Sequence, residues 1–518
     1  MLKARGGFHM IDRYDDARVD RRWRASAFAT LLLTASATAA DAPPDFSAVD
    51  TYVSTERAAQ HIPGVALAIV GPNGTIHVGG FGVADTGGPA ITSQTPFILG
   101  STSKSFTALA VMQLVEAGRV ELDAPVQRYL PWFAVADAQA SSQITVRQLL
   151  NQTSGLSTAA GRRTLTDFSS GDDALENRVR GLRNVAVTAP FGTTYQYSNC
   201  NYQVLGVLVQ AVSGTSFEAY LQAHVFDPLG MTHTYTSKSD AAANGLTIGH
   251  RTIFGRAFAF DEPLPRGSIP SGFVISNAQD MAHYLSAQLN GGRWGDTSIL
   301  SPAGIAELHR GAARIGDGDV FYAMGWNSGS IDGMPAVWHG GDTFGYQSYM
   351  ILLTDAHWGA MLLANMNDIP ANGRFAEIAA GVLDLLVGRA PKRDRVNDSI
   401  IVHAIVFLIV AIQALGIART LRLVGRWRRE PIRGPVRVRE AIRRWRGAAA
   451  YAARVALPSL VNLGWGLFIW VAIPLTFAPL TIGMLAMPGL AHLLIASGAV
   501  ALIWSALRAV LVLRALRG

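Results

Sequence analysis

From Val455 to Leu507 the chain runs for 53 residues without one Asp, Glu, Lys or Arg. That is more than one helix needs to cross a bilayer, about 20 residues, and enough for two. A break falls naturally at "PLTFAPLTIGMLAMPG". Upstream, "SIIVHAIVFLIVAIQALGIA" at 399–418 supplies a further uncharged span. Between these stretches, residues 419–454 carry twelve arginines against Glu430 and Glu440. The pattern predicts a membrane domain at 393–518, with spans near 400–418, 457–477 and 487–507 around an Arg-rich loop at 419–454. Arginine-rich loops stay in the cytoplasm. Three spans after an exported N-terminal portion put both the loop and the terminal "RALRG" there, so the two expectations agree. The loop can also meet anionic lipid headgroups, which makes membrane lipid an expected partner.

The N-terminus has the layout that export requires. "RRWRASAFATLLLTASATAA" places arginines before a modest apolar run, then the small residues Ala37, Thr38 and Ala39. This predicts a signal peptide at 1–40 with cleavage near 39–41, an uncleaved anchor helix being the alternative. The expected location is a bacterial cytoplasmic membrane, with the portion from 41 to 392 on its periplasmic or extracellular side.

Charge then narrows the function of that portion. The whole chain has a formal charge of +7, but residues 41–399 hold 22 basic and 31 acidic side chains, a net of −9. Nucleic-acid binding loses its main support. Cys200 is the only cysteine, so neither an intrachain disulfide nor a cysteine-based metal site can form. The twelve histidines show no H-x-H or H-E-x-x-H spacing. No metal or cofactor is implied. "GVALAIV", a turn at "GPNG" and "TIHVGGFGVAD" read as a hairpin, and "SYMILLTD" with "WGAMLLANM" as a strand pair near the other end. Strands at both ends with helical material between them predict an α+β domain whose terminal pieces share one antiparallel sheet.

Within it, "FILGSTSKSFT" sets Ser101 one helical turn before Lys104, at the head of a helix ending near Gly118. Of 44 Lys plus Arg only Lys3, Lys104, Lys238 and Lys392 are lysines. Unlike arginine, lysine can lose its proton, and burial near a helix N-terminus favours that loss. Two further stretches have chemical potential. "YSN" offers the phenol of Tyr197 and the amide of Asn199, and "HGGD" sets His339 before the glycines Gly340 and Gly341 and then Asp342. Taken singly, each has an ordinary reading: a helix start, a helix cap, a turn.

Together and in this order, the three stretches resemble the serine β-lactamase and penicillin-binding-protein superfamily, in its class C-like branch with D-aminopeptidases and esterases. The resemblance runs from about residue 46 to 388 and includes "ITVRQLLNQTSGL", "PLGMTHT", "SGFVISNAQDMAHYL", "YAMGWN" and "HGGDTFGY". It implies a transpeptidase-like α+β fold, an antiparallel sheet flanked by helices plus a helical subdomain. It also implies that Ser101 is the acylated nucleophile, Lys104 its proton acceptor and Tyr197 the proton relay, with Asn199 as polar partner. The backbone amides of Ser101 and Asp342 would form an oxyanion hole, and the His339–Gly341 stretch would line the substrate. Which of Lys104 and Tyr197 is the base stays open. This sequence departs from the family at His339-Gly340-Gly341, where β-lactamases and D-Ala-D-Ala peptidases have Lys-Thr-Gly, and at Gln152, where His is usual. The first departure removes a fixed cation and a hydroxyl for a substrate carboxylate. The expectation is a serine hydrolase acting on a small-molecule or peptide ester or amide. A DD-carboxypeptidase or weak β-lactamase is the nearer alternative, and a non-catalytic ligand sensor the more distant one.

Overall fold

A computed structural model of the chain describes residues 45–368, 372–392, 398–429, 457–476 and 479–517. The expected signal peptide and all but the first residues of the Arg-rich loop lie outside them. The chain forms two compact units. Among the described residues, one comprises 45–250, 257–367 and 372–392, the other 251–256, 368, 398–429, 457–476 and 479–517.

The first unit is built on one antiparallel sheet. Gly64–Val70 (β1) and Ile76–Gly82 (β2) are the expected hairpin, turning through Pro72–Gly74. Six further strands follow: Ala313–Arg314 (β3), Phe321–Tyr322 (β4), Asn327–Ile331 (β5), Met334–Asp342 (β6), Gln347–Leu353 (β7) and Trp358–Ala364 (β8). Their order is β2-β1-β8-β7-β6-β5-β4-β3. The terminal pieces join where β1 pairs with β8, from Val65 opposite Ala364 to Val70 opposite Gly359.

Five helices matter to the packing around the sheet and the site: Phe46–Ala59 (α1), Ser103–Glu116 (α2), Asn199–Ser213 (α3), Ala278–Leu289 (α4) and Asn372–Leu386 (α5). They explain why β1, β7 and β8 read as continuous apolar runs rather than alternating ones. Val65, Leu67 and Ile69 pack on one face with Val53 of α1 and Ile378 of α5. Ala66, Ala68 and Val70 pack on the other face, in the same core as Phe106 of α2 and Leu285 of α4. With both faces covered, every residue of β1 is buried. Each large apolar side chain so placed contributes about 1.5–3 kcal/mol.

Helix α2 is buried along nearly its whole length, from Ser103 to Met112 without a break. A helix surrounded by protein has no need of a polar face, which is why Ala108 to Met112 is apolar at every position. The helix itself begins at Ser103, so Ser101 sits in a 3-10 turn, Gly100–Thr102, immediately ahead of it. At the other end Ala117 is the C-cap and Gly118, at φ 68, takes the left-handed position that follows.

Among its described residues the second unit contains three helices long and apolar enough to cross a membrane, at Ile400–Arg422, Leu457–Leu475 and Pro488–Val510. The break between the last two falls where the sequence placed it. One helix stops at Thr476, Leu480–Ala486 forms a short piece, and Pro488 opens the next. Within this unit Gly466 lets the second helix approach the third: a Cβ there would stand 3.0 Å from Gly498 O. Trp465 Nε1 donates to Ser497 Oγ beside that crossing at 3.0 Å.

Candidate active site

Lys104 is completely buried. Its Nζ lies 3.0 Å from Ser101 Oγ, 2.9 Å from Asn199 Oδ1 and 2.5 Å from Ser271 O. All three neighbours are neutral. Burial holds the amine well below its ordinary pKa of 10.5, because an ammonium there would be desolvated with no carboxylate to offset the loss. A neutral amine has two hydrogens and one lone pair. The carbonyl oxygens of Asn199 and Ser271 can only accept, so when the amine gives up its third proton they keep both hydrogens and the lone pair faces the Ser101 hydroxyl. Ser101 itself keeps partial solvent access.

Asn199 is the first residue of α3, with Ser198 as N-cap. The strand-like turn before it presents Tyr197, whose ring centre is 4.8 Å from Lys104 Nζ. Gln152 fixes this turn. It is fully buried at φ 59, and its Oε1 accepts from the Ser198 amide at 2.9 Å and from Asn201 Nδ2. Its backbone oxygen accepts from the Gln196 amide, also at 2.9 Å. The Gln that replaces the family's usual His therefore holds the Tyr-Ser-Asn segment in place.

The third side of the site is the end of β6. Its pairing with β5 stops at Trp338, whereas its pairing with β7 continues to Asp342. Residues 339–342 thus present an edge with no strand opposite it among the described residues. Gly341 and Gly100 bring this edge against the Ser101 turn. A Cβ on Gly341 would stand 3.1 Å from Ser101 N, and one on Gly100, at φ 59, would stand 2.5 Å from Asp342 N. The backbone amides of Ser101 and Asp342 are neighbours for this reason, and no side chain fits at either glycine. The next three residues are clamped by a residue that the sequence reading did not single out. Glu262, 2 % exposed, accepts from Thr343 Oγ1 at 2.6 Å and from the amides of Phe344 and Gly345 at 2.8 and 2.9 Å.

His339 faces inward. Its Nδ1 donates to Gly340 O at 2.6 Å, which leaves Nε2 to accept from the Tyr322 hydroxyl at 3.4 Å. Burial above all pushes its pKa down to about 3, against the bond to Gly340. The fractional charge expected of a histidine at this position is therefore absent, and the ring is a neutral part of the wall. Asp342 lies at the exposed end of the strand. Crowding raises its carboxyl pKa, opposed by hydrogen bonds from Gln347 and Asn367, each 3.3 Å long, and by the water it still meets.

Ser101, Lys104, Tyr197, Asn199, His339, Gly340, Gly341 and Asp342 are thus brought to one place from three distant parts of the chain. Ser271 and Tyr322 were missed as individual residues, although each opens one of the recurring blocks, "SGFVIS" and "YAMGWN". Ser271 acts through its carbonyl, which carries no side-chain signal. An open cleft of about 530 Å³, bordered by Gln113, Glu116 and Arg119, lies at the opposite end of α2 from Ser101 and is separate from this site.

Residues 49–383 match the family model described as Beta-lactamase. Penicillin-binding protein 4 of Amycolatopsis lactamdurans is 35% identical over 321 residues, 60% of this chain and 82% of that one. The unguisins hydrolase ungD' of Aspergillus campestris is 29% identical over 326 residues, 59% of each chain. Protein flp of Staphylococcus aureus is 27% identical over 330 residues, 62% of this chain and 63% of that one. The match thus spans less than two thirds of the length of the last two. Among solved structures, the octameric penicillin-binding protein homologue from Pyrococcus abyssi superimposes with a TM-score of 0.60 at 26% identity, covering 67% of this chain and 79% of that one. The chain belongs to the β-lactamase family, with the β-lactamase and penicillin-binding-protein fold, and is a hydrolase of that family with three candidate membrane helices at its C-terminal end.

Proposed function

We propose that this chain is an exported, membrane-anchored serine hydrolase that acts through an acyl-enzyme at Ser101. Its substrates are esters or amides, including D-amino-acid peptides or peptidoglycan fragments. The observation that carries this reading is the fully buried Lys104 amine, 3.0 Å from the Ser101 hydroxyl. Ser101 Oγ attacks the substrate carbonyl carbon while its proton passes to Lys104 Nζ. The amides of Ser101 and Asp342 then hold the resulting oxyanion, and each such donor is worth about 3–4 kcal/mol in the transition state. Tyr197, beside the amine, passes a proton to the leaving group as the tetrahedral intermediate collapses. Water enters by the reverse route to release the acid. A peptide substrate would lie along the unpaired edge at 339–342.

The reading as a DD-carboxypeptidase or weak β-lactamase draws support from the printed name of the Amycolatopsis relative. The neutral, inward-facing His339 weighs against it, because no fixed cation waits for a substrate carboxylate there. A ligand sensor would need neither Lys104 nor Tyr197 in its present place. The deciding experiment compares kcat/KM for a nitrophenyl acyl ester and for benzylpenicillin, using the full chain in detergent and its Ser101→Ala variant. Ester turnover that exceeds penicillin turnover and is lost in the variant supports the proposal. Faster penicillin turnover favours the second reading, and ester turnover that survives in Ser101→Ala removes both.

A further inference from the structure

Arg178, on the helix Ala174–Arg180, is 8 % exposed and takes no part in the proton transfers proposed above. A buried guanidinium is costly unless its donors are paired. These are paired in two directions. Outward, Nε donates to Asp167 Oδ2 at 3.1 Å and Nη2 to Asp167 O at 2.7 Å, on a residue whose side chain is 41 % exposed. Inward, Nη1 donates to Ser268 Oγ. Gly267 makes room for this fork, since a Cβ there would stand 2.9 Å from Arg178 Cζ.

The inward arm ends on the turn that holds the site's amine. Ser268 is the N-cap of the helical turn Ile269–Gly272, yet its hydroxyl makes no capping bond and accepts from Arg178 instead. Ser271 Oγ donates back to Ser268 O at 3.0 Å, and Ser271 O accepts from Lys104 Nζ at 2.5 Å. Thr107 of α2 ties the same turn down by donating to Pro270 O at 2.7 Å. The turn also reaches the nucleophile: a Cβ on Gly272 would stand 3.7 Å from the carbonyl carbon of Gly100. Of these contacts only that from Arg178 carries a fixed charge, and charge-assisted hydrogen bonds are about twice as strong as neutral ones.

We infer that Arg178 is a positioning residue for acylation: its grip on Ser268 fixes the Ile269–Gly272 turn, and through it the Ser271 carbonyl that aims the Lys104 amine at Ser101. The inference rests on the acyl-enzyme chemistry proposed above. A turn that draws back takes the Ser271 carbonyl away from the amine and admits water, so the lone pair loses its aim and an ammonium becomes less costly. The titratable groups facing the amine are Tyr197 and Tyr202, with ring centres 4.8 and 5.7 Å away, and His339. Burial keeps His339 neutral and Tyr202 protonated near neutral pH, which leaves the amine and Tyr197 to set the acid limb of the rate.

The test follows nitrophenyl ester hydrolysis and fluorophosphonate labelling against pH, using the full chain in detergent with rates taken per labelled site. Ser268→Ala leads, because it removes the inward arm, keeps the Asp167 pairing and leaves little void. Acylation should slow by about ten- to hundredfold, the cost of a small misplacement made away from the chemistry, with KM little changed. The acid limb of kcat/KM should move to higher pH. Arg178→Lys keeps the charge without the fork and should lose as much, and the double variant no more than the larger single loss, since both act through one contact. A wild-type rate and limb in Ser268→Ala overturns the inference. So does a lowered Tm with the limb unmoved, which would make Arg178 a support of the fold alone, and so do additive losses, which would mean that it acts by another route. Absence of a fluorophosphonate adduct on Ser101 in the wild-type chain overturns the acyl-enzyme reading itself, and this inference with it.

Discussion

Two hydrogens and one lone pair match the three neighbours of the Lys104 amine, and the chemistry at residue scale follows from that count. Lys104→Met keeps the volume and removes the base. Its expected cost is about 10²–10⁴-fold in the acylation rate, the usual range for one positioned acid–base group, with Tm unchanged or higher. Single-turnover kinetics with a nitrophenyl ester would show it, and a variant within twofold of wild type would make Tyr197 the base. The lowered pKa also predicts a pH dependence. Between the depressed folded value and 10.5 the unfolded chain holds a proton that folded Lys104 lacks, so its contribution to stability grows as pH rises through that window. His339, lowered from 6.5 to about 3, behaves alike at acid pH: its contribution is lost as pH falls from 6.5 towards 3. Thermal melts of His339→Gln against pH should therefore show a flatter acid limb than wild type, and parallel curves would mean that the ring already meets water.

At the scale of elements, the site depends on how closely β6 approaches the turn ahead of α2. Gly341→Ala puts a methyl group against Leu99 O and Ser348 Oγ, so the strand must withdraw and carry the Asp342 amide with it. The expected result is a fall in kcat of at least about tenfold, given the weight of one oxyanion donor, with KM little changed. A raised KM with kcat unchanged would mean that the strand binds substrate without stabilising the oxyanion. Glu262→Gln tests the same strand end from the other side. It replaces one acceptor oxygen by a donor among two amides and a hydroxyl, so kcat and Tm should both fall, with Glu262→Asp intermediate. These elements were unequally legible in sequence. The hairpin, the terminal strand pair and α2 could be read directly, because apolar periodicity and turn residues are local signals. The blocks around Gln152, Ser271 and Tyr322 were visible as stretches only, since a buried amide or a backbone carbonyl is assigned by what it touches. Glu262 carried no signal, because it lies 81 residues from Thr343 in sequence and acts through that distant turn.

For the whole molecule, the composition break near residue 399 separates an acidic domain from an apolar one, and the two compact units divide close to it. Residues 41–392 expressed alone are expected to be soluble and to keep esterase activity, measured against the full chain in detergent. Recovery only as aggregate would mean that the apolar helices complete the catalytic fold. The candidate spans were legible because length and absence of charge are local signals. The convergence of Ser101, Tyr197 and His339 was legible only through resemblance, since no local pattern says that residues 142 apart meet across β6. The central claim is that Ser101 is the nucleophile and Lys104 activates it. It is tested most directly by intact-mass and peptide mapping of the full chain after a fluorophosphonate reagent, in wild type and in Lys104→Met. The account predicts one phosphonyl adduct, on the peptide containing Ser101, formed at least about 10²-fold more slowly in Lys104→Met. An adduct on another residue, or equal labelling rates in the two proteins, would contradict it.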